Sequence, residues 1–453
     1  MQLTKLLTAA TVALGTALVA TSAAHARTGS SDPIPGFAPT TTSPTTTGAA
    51  APSPPAALAT DPPANLERPP DRRPASMFEP PPAEVEAGPD TRTLDVHASS
   101  ELAGYAATDH VFVVSPTIAG TVTNPLAGWS VNGRYLVDVV SAASVDIVST
   151  ASRRYTEVRH VATIDGNYSS NSLGFSGGAN ISREPDYLSL SAHGAVTKEL
   201  LDKNLTLLLA YNYTHDTAGR TGTSFSTFSR RLSINGFKGG ATILIDRASI
   251  LSIVGDVIVE NGDPSKPYRY VPMFAPGTAV PLGASIDTVN QLRLSARVLE
   301  QLPLTRDRVA LSARYAHRFS ESTIRLDERA YVDTWGLKAS STDARWIFDV
   351  GSRFDIGPHV RVHAQSAVDF WQRAYTMTPG LNFPAIRTGD RELGPLFNLT
   401  GGGAVHCGIG PDNRPRSWVL GFELGVTSTS YLDDIYIKQR LATIGAISLE
   451  ADL

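Results

Sequence analysis

Arginine and aspartate recur at alternate positions over much of residues 308–373. Within residues 324–335, for example, the odd positions include Arg325, Asp327 and Arg329, while most even positions are apolar. Because successive side chains of a β-strand point to opposite faces, this spacing places the charged groups on one face and the apolar groups on the other. Guanidinium and carboxylate groups lined up on neighbouring strands can pair across the strands, and rings of such charge can select ions in a pore.

The charged residues that we expect to share one inner face form a ladder over several strands. The ladder comprises Arg308, Arg314, Arg318, Arg325, Asp327, Arg329, Asp333, Arg345, Asp349, Arg353, Asp355, Arg361, Asp369, Arg373 and Arg440. Two interpretations stay open. The mixed signs favour a salt-bridge network that fills the interior and holds the wall, whereas the excess of arginine over residues 308–373 favours a wall that attracts anions.

A second candidate site lies in the long connection of residues 376–395. Its charged residues are Arg387, Asp390, Arg391 and Glu392. Loops of this length are often functional, and in a barrel such a loop can fold inward and constrict the lumen. The alternative is an ordinary exposed loop.

Motifs of metal and nucleotide chemistry are absent from the sequence. There is no H-E-x-x-H and no Walker loop, and the single cysteine, Cys407, excludes both C-x-x-C and an internal disulfide. His359 and His363 share one face of a predicted strand, but four residues of strand separate them by about 13 Å, which is too far for joint metal ligation. We therefore expect no enzyme activity, cofactor or metal.

The elements that position these residues are β-strands. Residues 94–453 divide into runs of alternating polarity separated by turn signals, and we count about sixteen strands, with fourteen to eighteen as the range. The predicted strands near the ladder are residues 308–319, 324–335, 345–356 and 360–375, with a turn at 357–359, and the last strand is 435–449. Short turns alternate with longer connections, which predicts a closed antiparallel transmembrane β-barrel with both termini on the short-turn side.

The chain ends and the composition fit an exported protein. Residues 1–26 combine Lys5, an apolar run and an A-x-A site, which is typical of a secretory signal peptide. Residues 27–92 are rich in Pro, Ala and Thr and predict a disordered linker, so the barrel is expected over residues 93–453. A formal net charge of −4 gives no indication of a nucleic-acid partner.

Several segments resemble a bacterial family of predicted outer-membrane β-barrels, the domain-of-unknown-function family numbered 3570. The resembling segments are residues 135–152, 157–159, 183–188, 268–272, 300–308, 325–335 and 387–396. They span nearly all of the predicted barrel and none of the Pro-rich segment. The resemblance implies membrane placement, and it implies nothing about a substrate.

Together these features predict a barrel of the Gram-negative outer membrane that passes small hydrophilic solutes. Its expected partners are the lipid bilayer and small polar or anionic solutes, and the oligomeric state stays open. One alternative is a closed structural or surface-presenting barrel whose outer loops bind partners. A weaker third hypothesis is a hydrolase built on the barrel wall.

Overall fold

The computed structural model describes residues 94–142, 155–170, 172–378, 380, 382–411 and 416–453. The predicted signal peptide and the predicted Pro-rich linker lie outside these residues. In the described part of the chain, no helix is both long enough and apolar enough to cross a membrane.

Sixteen strands of the described chain close into an antiparallel barrel. They are β1 (Asp95–Ala107), β2 (Val111–Asn124), β3 (Trp129–Ala142), β4 (Tyr155–Ser170), β5 (Leu173–Glu184), β6 (Tyr187–Leu200), β7 (Leu205–Ala218), β8 (Arg230–Leu244), β9 (Ser249–Gly262), β12 (Thr305–Arg318), β13 (Ser322–Asp333), β14 (Lys338–Val350), β15 (Phe354–Gln365), β17 (Leu396–Ile409), β18 (Trp418–Tyr431) and β19 (Gln439–Asp452). Each strand pairs with its neighbour, and β1 pairs with β19 to close the ring. The predicted fold class and the count of sixteen are confirmed.

The two ends of the barrel differ. At the short-turn end lie the β2–β3, β4–β5, β6–β7, β8–β9, β12–β13, β14–β15 and β17–β18 connections, together with the first and last barrel residues. At the long-loop end lie the connections β9–β12 and β15–β17, which are the longest in the described chain. Both chain ends of the barrel therefore fall on the short-turn side, as the alternation of loop lengths predicts.

The outer surface of the barrel is apolar. Large hydrophobic side chains point outward at alternate positions, and Leu209, Ile118 and Leu311 are 69%, 62% and 58% exposed. Near the short-turn end, Trp129 pairs with Tyr168 and Tyr168 with Phe175 across adjacent strands on this face. An apolar band edged by aromatic residues is the surface that a bilayer covers in a transmembrane barrel.

Several predicted boundaries near the ladder were wrong, and the strand predicted at residues 345–356 is β14, which spans Lys338–Val350. The β14–β15 turn lies at residues 351–353 rather than 357–359, so β15 spans Phe354–Gln365 instead of 360–375. The Gly357-Pro358 pair suggested a turn, yet it lies inside β15. Pro358 has no N–H to donate, and the β14–β15 ladder is interrupted there, between the pairs Arg345–His359 and Phe348–Ile356. The last strand is β19, Gln439–Asp452, rather than 435–449.

The two longest loops fold together into a cap at the long-loop end, which we define as the described residues of 263–304 and 366–395. The cap holds a three-stranded sheet of β10 (Tyr270–Phe274), β11 (Arg293–Leu299) and β16 (Tyr375–Thr376), a helix α1 (Ile286–Leu292) and a 3-10 turn (Arg391–Leu393). Ser285 caps the start of α1 by accepting the amide hydrogen of Thr288. Met273 and Tyr375 are buried in the core that this sheet forms.

Candidate functional site: the charged lumen and its cap

The inner wall of strands β12–β15 is ionic. Arg314 pairs with Asp327 on the adjacent strand, and Arg325 Nε lies 2.7 Å from Asp327 Oδ2. On β14, Arg345 Nε lies 3.0 Å from Asp343 Oδ1. The strand register produces the first pair, because Arg314 is directly opposite Asp327. The other two pairs join residues two positions apart on one strand, which share a face.

Twelve of the fifteen ladder residues lie in barrel strands with their side chains on the lumen face. They are Arg308, Arg314 and Arg318 on β12, Arg325, Asp327, Arg329 and Asp333 on β13, Arg345 and Asp349 on β14, Asp355 and Arg361 on β15, and Arg440 on β19. Arg308 pairs with Glu260, and Arg318 pairs with Asp349. Asp355 Oδ2 lies 2.6 Å from Arg416 Nη1.

The other three ladder residues do not lie on a strand. Arg353 belongs to the β14–β15 turn and donates from Nη1 to the Gly410 carbonyl oxygen at 2.9 Å. Asp369 and Arg373 follow the end of β15 and belong to the cap, where Arg373 Nη1 lies 3.0 Å from Asp433 Oδ1. Their assignment to the strand face was wrong for one reason, namely the misplaced turn before β15.

A cavity of about 690 Å³ occupies the part of the lumen next to the short-turn end. Its lining runs from Thr123 and Ser130 at the rim to Arg329, Asp343 and Arg361 near mid-barrel. Five arginines line it: Arg314, Arg325, Arg329, Arg345 and Arg361. A cavity of this size accommodates a small solute.

The wall that faces these arginines is uncharged over most of its area. Strands β4–β9 contribute Asn167, Ser176, Thr197, Thr206 and Ser252 to the lining. Hydroxyl and amide groups donate and accept hydrogen bonds without a fixed charge. The cavity therefore has one wall on which five arginines outnumber the carboxylates of Asp327 and Asp343, and a facing wall that is polar and carries the charge of Glu199. Together these walls can orient a small polar molecule.

Toward the long-loop end the lumen is filled by buried side chains that the ladder prediction missed. Asp256, Glu260 and Arg306 are all buried, and Arg306 Nε donates to Asp333 Oδ2 at 2.8 Å. Arg329 Nη1 reaches Asp256 Oδ2 at 3.0 Å. A signal for the two β9 carboxylates was present in the sequence, since positions 256 and 260 share one face of a strand.

The predicted constriction loop lies over this filled half of the lumen. Arg391 Nη2 lies 2.5 Å from Asp109 Oδ2 in the β1–β2 turn. Glu392 Oε1 accepts a hydrogen bond from the Tyr431 hydroxyl at 2.9 Å and lies 3.6 Å from Arg440 Nη1. These contacts fasten the cap to strands on the side of the barrel where the ring closes.

Arg387 and Asp390 instead tie the two halves of the cap to each other. Arg387 and Gln301 exchange backbone hydrogen bonds of 2.8 and 3.1 Å. Asp390 Oδ2 lies 2.5 Å from Arg269 Nη1 and 3.9 Å from Lys266 Nζ.

These contacts shift the pKa values of the two carboxyl groups in opposite directions. Burial by itself would raise the pKa of Asp390, but the positive charges of Arg269 and Lys266 outweigh burial and hold the pKa well below its usual range. For Glu392 burial dominates and raises its pKa, against the opposing effect of Arg440 and Arg391.

One hydrolase-like spacing occurs on the wall. Residues 174–178 read Gly-Phe-Ser-Gly-Gly, the G-x-S-x-G spacing centred on Ser176. A nucleophile elbow needs a sharp turn from a strand into a helix. Here β5 runs straight through these residues, so the spacing does not form that site.

The closed ring, the apolar outer band and the polar lumen define a transmembrane β-barrel. The model of the family "Protein of unknown function (DUF3570)" matches residues 112–410, more than half of the chain, and the chain belongs to this family. No curated protein matches the chain.

Three of the solved structures that match the chain are described here. OccK2 (OpdF) of Pseudomonas aeruginosa is 8% identical, with 80% of this chain and 98% of that chain covered and a TM-score of 0.37. Outer-membrane expressed OmpT of Vibrio cholerae is 7% identical, with 80% and 97% covered and a TM-score of 0.39. The siderophore receptor PirA of Acinetobacter baumannii is 10% identical at a TM-score of 0.38; the match covers 75% of this chain and 53% of the receptor. Likenesses of this strength carry no argument about what this chain binds.

Proposed function

We propose that this protein is a barrel of the bacterial outer membrane that passes small polar solutes, with a preference for anions, through a lumen gated by the cap. The observation that carries this proposal is the 690 Å³ cavity, which reaches the short-turn rim and is lined by five arginines. By this proposal residues 1–26 are the export signal, and residues 27–92 are a spacer ahead of the barrel.

The cavity supports passage better than a purely structural role. A barrel whose interior serves only to hold the wall together would be more stable with a filled lumen, because the side chains around an empty space lose dispersion contacts. In this chain the half toward the long-loop end is packed, yet the other half keeps a cavity beside guanidinium groups. Guanidinium groups that line an aqueous path attract anions and lower the barrier to their entry.

The cap supplies the gate. Outer-membrane barrels place their longer loops outside the cell, so the short-turn rim faces the periplasm in this proposal. Arg391 and Glu392 fasten the cap to Asp109, Tyr431 and Arg440. Passage requires that these contacts open, and the closed cap is the resting state.

Planar-bilayer recordings of conductance test the proposal. They compare the parent barrel with a variant that carries both Arg391→Ala and Asp109→Ala, which together loosen the cap. Removing both partners leaves neither charge buried and unpaired. We expect rare openings from the parent protein and at least a tenfold higher open probability from the variant. A folded barrel that conducts in neither form contradicts the proposal.

A selectivity measurement tests the role of the arginine wall. The variant Arg325→Gln, Arg329→Gln, Arg361→Gln, made in the loosened-cap background, should shift the reversal potential in a KCl gradient toward cations. Arg183→Gln is the matched control, because Arg183 lies on β5 and is exposed on the outer face. Unchanged selectivity in a folded triple variant would exclude the wall as the filter.

A closed, surface-presenting barrel is the second candidate. The packed half of the lumen and the ordered sheet of the cap favour it. Loss of folding in the triple variant, together with absence of conductance in the loosened-cap variant, would support this function over passage.

A further inference from the structure

Two arginines of the cavity wall lie directly opposite each other on adjacent strands. Arg325 on β13 is in register with Arg345 on β14, and two positions along the same strands Asp327 is in register with Asp343. Like charges directly opposite each other are destabilising, whereas opposite charges in register stabilise a pair of strands. A wall built only for stability would place arginine opposite aspartate at both positions.

Each aspartate holds the guanidinium group of its own strand by one edge. Arg325 Nε lies 2.7 Å from Asp327 Oδ2, and Arg345 Nε lies 3.0 Å from Asp343 Oδ1. Within the described part of the chain, the two guanidinium groups form no other ion pair or hydrogen bond. A guanidinium group carries five N–H donors, so both arginines keep the donors on Nη1 and Nη2 for another acceptor.

Groups on the neighbouring strands leave these donors open. Asp327 is shared with Arg314 on β12, and His359 lies directly opposite Arg345 on β15. Glu423 on β18 lies within electrostatic reach of Arg345 but forms no ion pair with it. The side chains of the opposed arginines are 26% and 15% exposed, and both line the cavity. The pair is therefore accessible from the space that a solute enters.

The wall across the cavity offers neutral hydrogen-bonding groups at the same height. Asn167 on β4, Ser176 on β5 and Thr197 on β6 line the cavity. Each of them lies three residues from the short-turn end of its strand, as Arg325 does on β13. Hydroxyl and amide groups both donate and accept hydrogen bonds. A molecule that spans the cavity therefore meets guanidinium groups on one side and neutral polar groups on the other.

We propose that Arg325 and Arg345 together bind the carboxylate of a small polyhydroxylated acid. Guanidinium groups match the two oxygens of a carboxylate with parallel hydrogen bonds. The hydroxyl groups of the acid bond to Asn167, Ser176 and Thr197 across the cavity.

The two aspartates limit the charge of the ligand. Asp327 and Asp343 lie beside the guanidinium groups and repel any second negative charge on a bound molecule. A carboxylate monoanion is therefore favoured over a phosphate dianion. This inference rests on the proposed function, because it names the class of solute that occupies the same cavity.

Isothermal titration calorimetry on the full folded barrel in detergent tests the class of ligand. D-gluconate carries a carboxylate and hydroxyl groups, whereas sorbitol carries only the hydroxyl groups and hexanoate only the carboxylate. We expect gluconate to bind at least tenfold more tightly than sorbitol, hexanoate or inorganic phosphate. Gluconate that binds no more tightly than these probes overturns the proposal.

Variants of the two arginines test the carboxylate site. The double variant Arg325→Gln, Arg345→Gln should weaken the binding of gluconate at least tenfold and leave that of sorbitol unchanged. The double variant Arg325→Lys, Arg345→Lys keeps both charges beside the aspartates, so it serves where the first variant fails to fold. It should still bind gluconate several-fold more weakly than the parent, because an ammonium group cannot offer parallel donors. Full affinity for gluconate in a folded double variant overturns the proposal.

The facing wall has its own test. The double variant Ser176→Ala, Thr197→Val should weaken the binding of gluconate and leave that of hexanoate unchanged, and an equal effect on both ligands contradicts the assigned hydroxyl contacts. Arg230→Gln is the control for all variants, because Arg230 pairs with Asp263 at 3.4 Å near the long-loop end and does not line the cavity. Heat-modifiable migration on gels confirms that each variant is folded.

Binding and conductance separate this inference from the proposed function. A parent barrel that does not bind gluconate, together with a loosened-cap variant that conducts, overturns the acid site and leaves passage standing. A barrel that binds gluconate through the two arginines but never conducts supports the site and contradicts passage.

Discussion

Individual charged residues in the cap are stabilised by their partners rather than by water. Asp390 is the clearest case, since Lys266 and Arg269 flank it and hold its pKa below the ordinary value. A carboxyl group whose pKa is lower in the folded than in the unfolded protein stabilises the fold at pH values above its unfolded pKa of about 3.9. That contribution disappears as the pH falls through the lower, folded value.

The corresponding prediction concerns Asp390→Asn. At pH 7 the variant should unfold at a midpoint a few degrees below that of the parent, because it removes the carboxylate charge that lies next to Arg269 and Lys266. The difference should shrink as the pH is lowered below about 4, because the unfolded parent then binds a proton at Asp390 that the folded parent excludes. Thermal scans of the detergent-folded barrel between pH 3 and 7 measure it. A difference that grows toward low pH would contradict the assigned ion pairs.

At the scale of the strands, turns set the register and therefore decide which side chains face the lumen. A shift of one residue in a strand would exchange its two faces. The β2–β3 turn is a demanding case. Gly128 has φ +72°, its amide hydrogen is donated to the Asn124 carbonyl oxygen, and its own carbonyl oxygen accepts from Ser169 N at 2.7 Å.

Gly128→Ala should destabilise the barrel by about 1–3 kcal/mol. A Cβ at this position meets the Ser169 carbonyl oxygen at 2.3 Å, and an L-residue is strained at this φ. Gly133→Ala is the matched control on β3, because a Cβ there meets nothing within 4 Å. We expect the control to be neutral or slightly stabilising, since Ala restricts the unfolded chain more than Gly does. Urea unfolding in lipid vesicles compares the two, and equal effects would show that the turn does not impose the strain.

At the scale of the whole molecule, the barrel separates an apolar outer surface from a polar lumen that contains a cavity. Leu208 and Leu209 are neighbours on β7 and test this separation. Leu208 lines the cavity, whereas Leu209 is 69% exposed on the outer face. Adjacent residues of any strand face opposite sides, and the closed ring decides which of these two leucines meets the lumen and which meets the lipid.

Leu209→Arg should therefore cost about 2–4 kcal/mol of folding free energy in vesicles, the range for arginine at the middle of the lipid face of a barrel. Leu208→Arg should cost much less, because its guanidinium can reach the polar cavity. Unfolding titrations in the same vesicles give both values. A larger loss at position 208 than at 209 would mean that the faces of β7 are assigned the wrong way round.

The sequence alone determined the fold class, the sixteen strands and most of the ladder. The reason is physical: side-chain direction repeats every two residues, so Arg325, Asp327 and Arg329 must share a face wherever their strand lies. The same rule failed after Val350, because Gly357-Pro358 imitates a turn and the true turn at residues 351–353 carries a weaker signal. Arg353, Asp369 and Arg373 were misplaced as a result.

Only the tertiary structure decided which charges meet. Asp109 and Arg391 are 282 residues apart in the chain, and Thr388 and Glu300 are 88 residues apart, yet each pair is in hydrogen-bond contact. Local periodicity carries no information about such contacts, because they depend on ring closure and on two loops that fold against each other. The position of the cap depends on the same contacts, and so does the division of the lumen into a packed half and an open half.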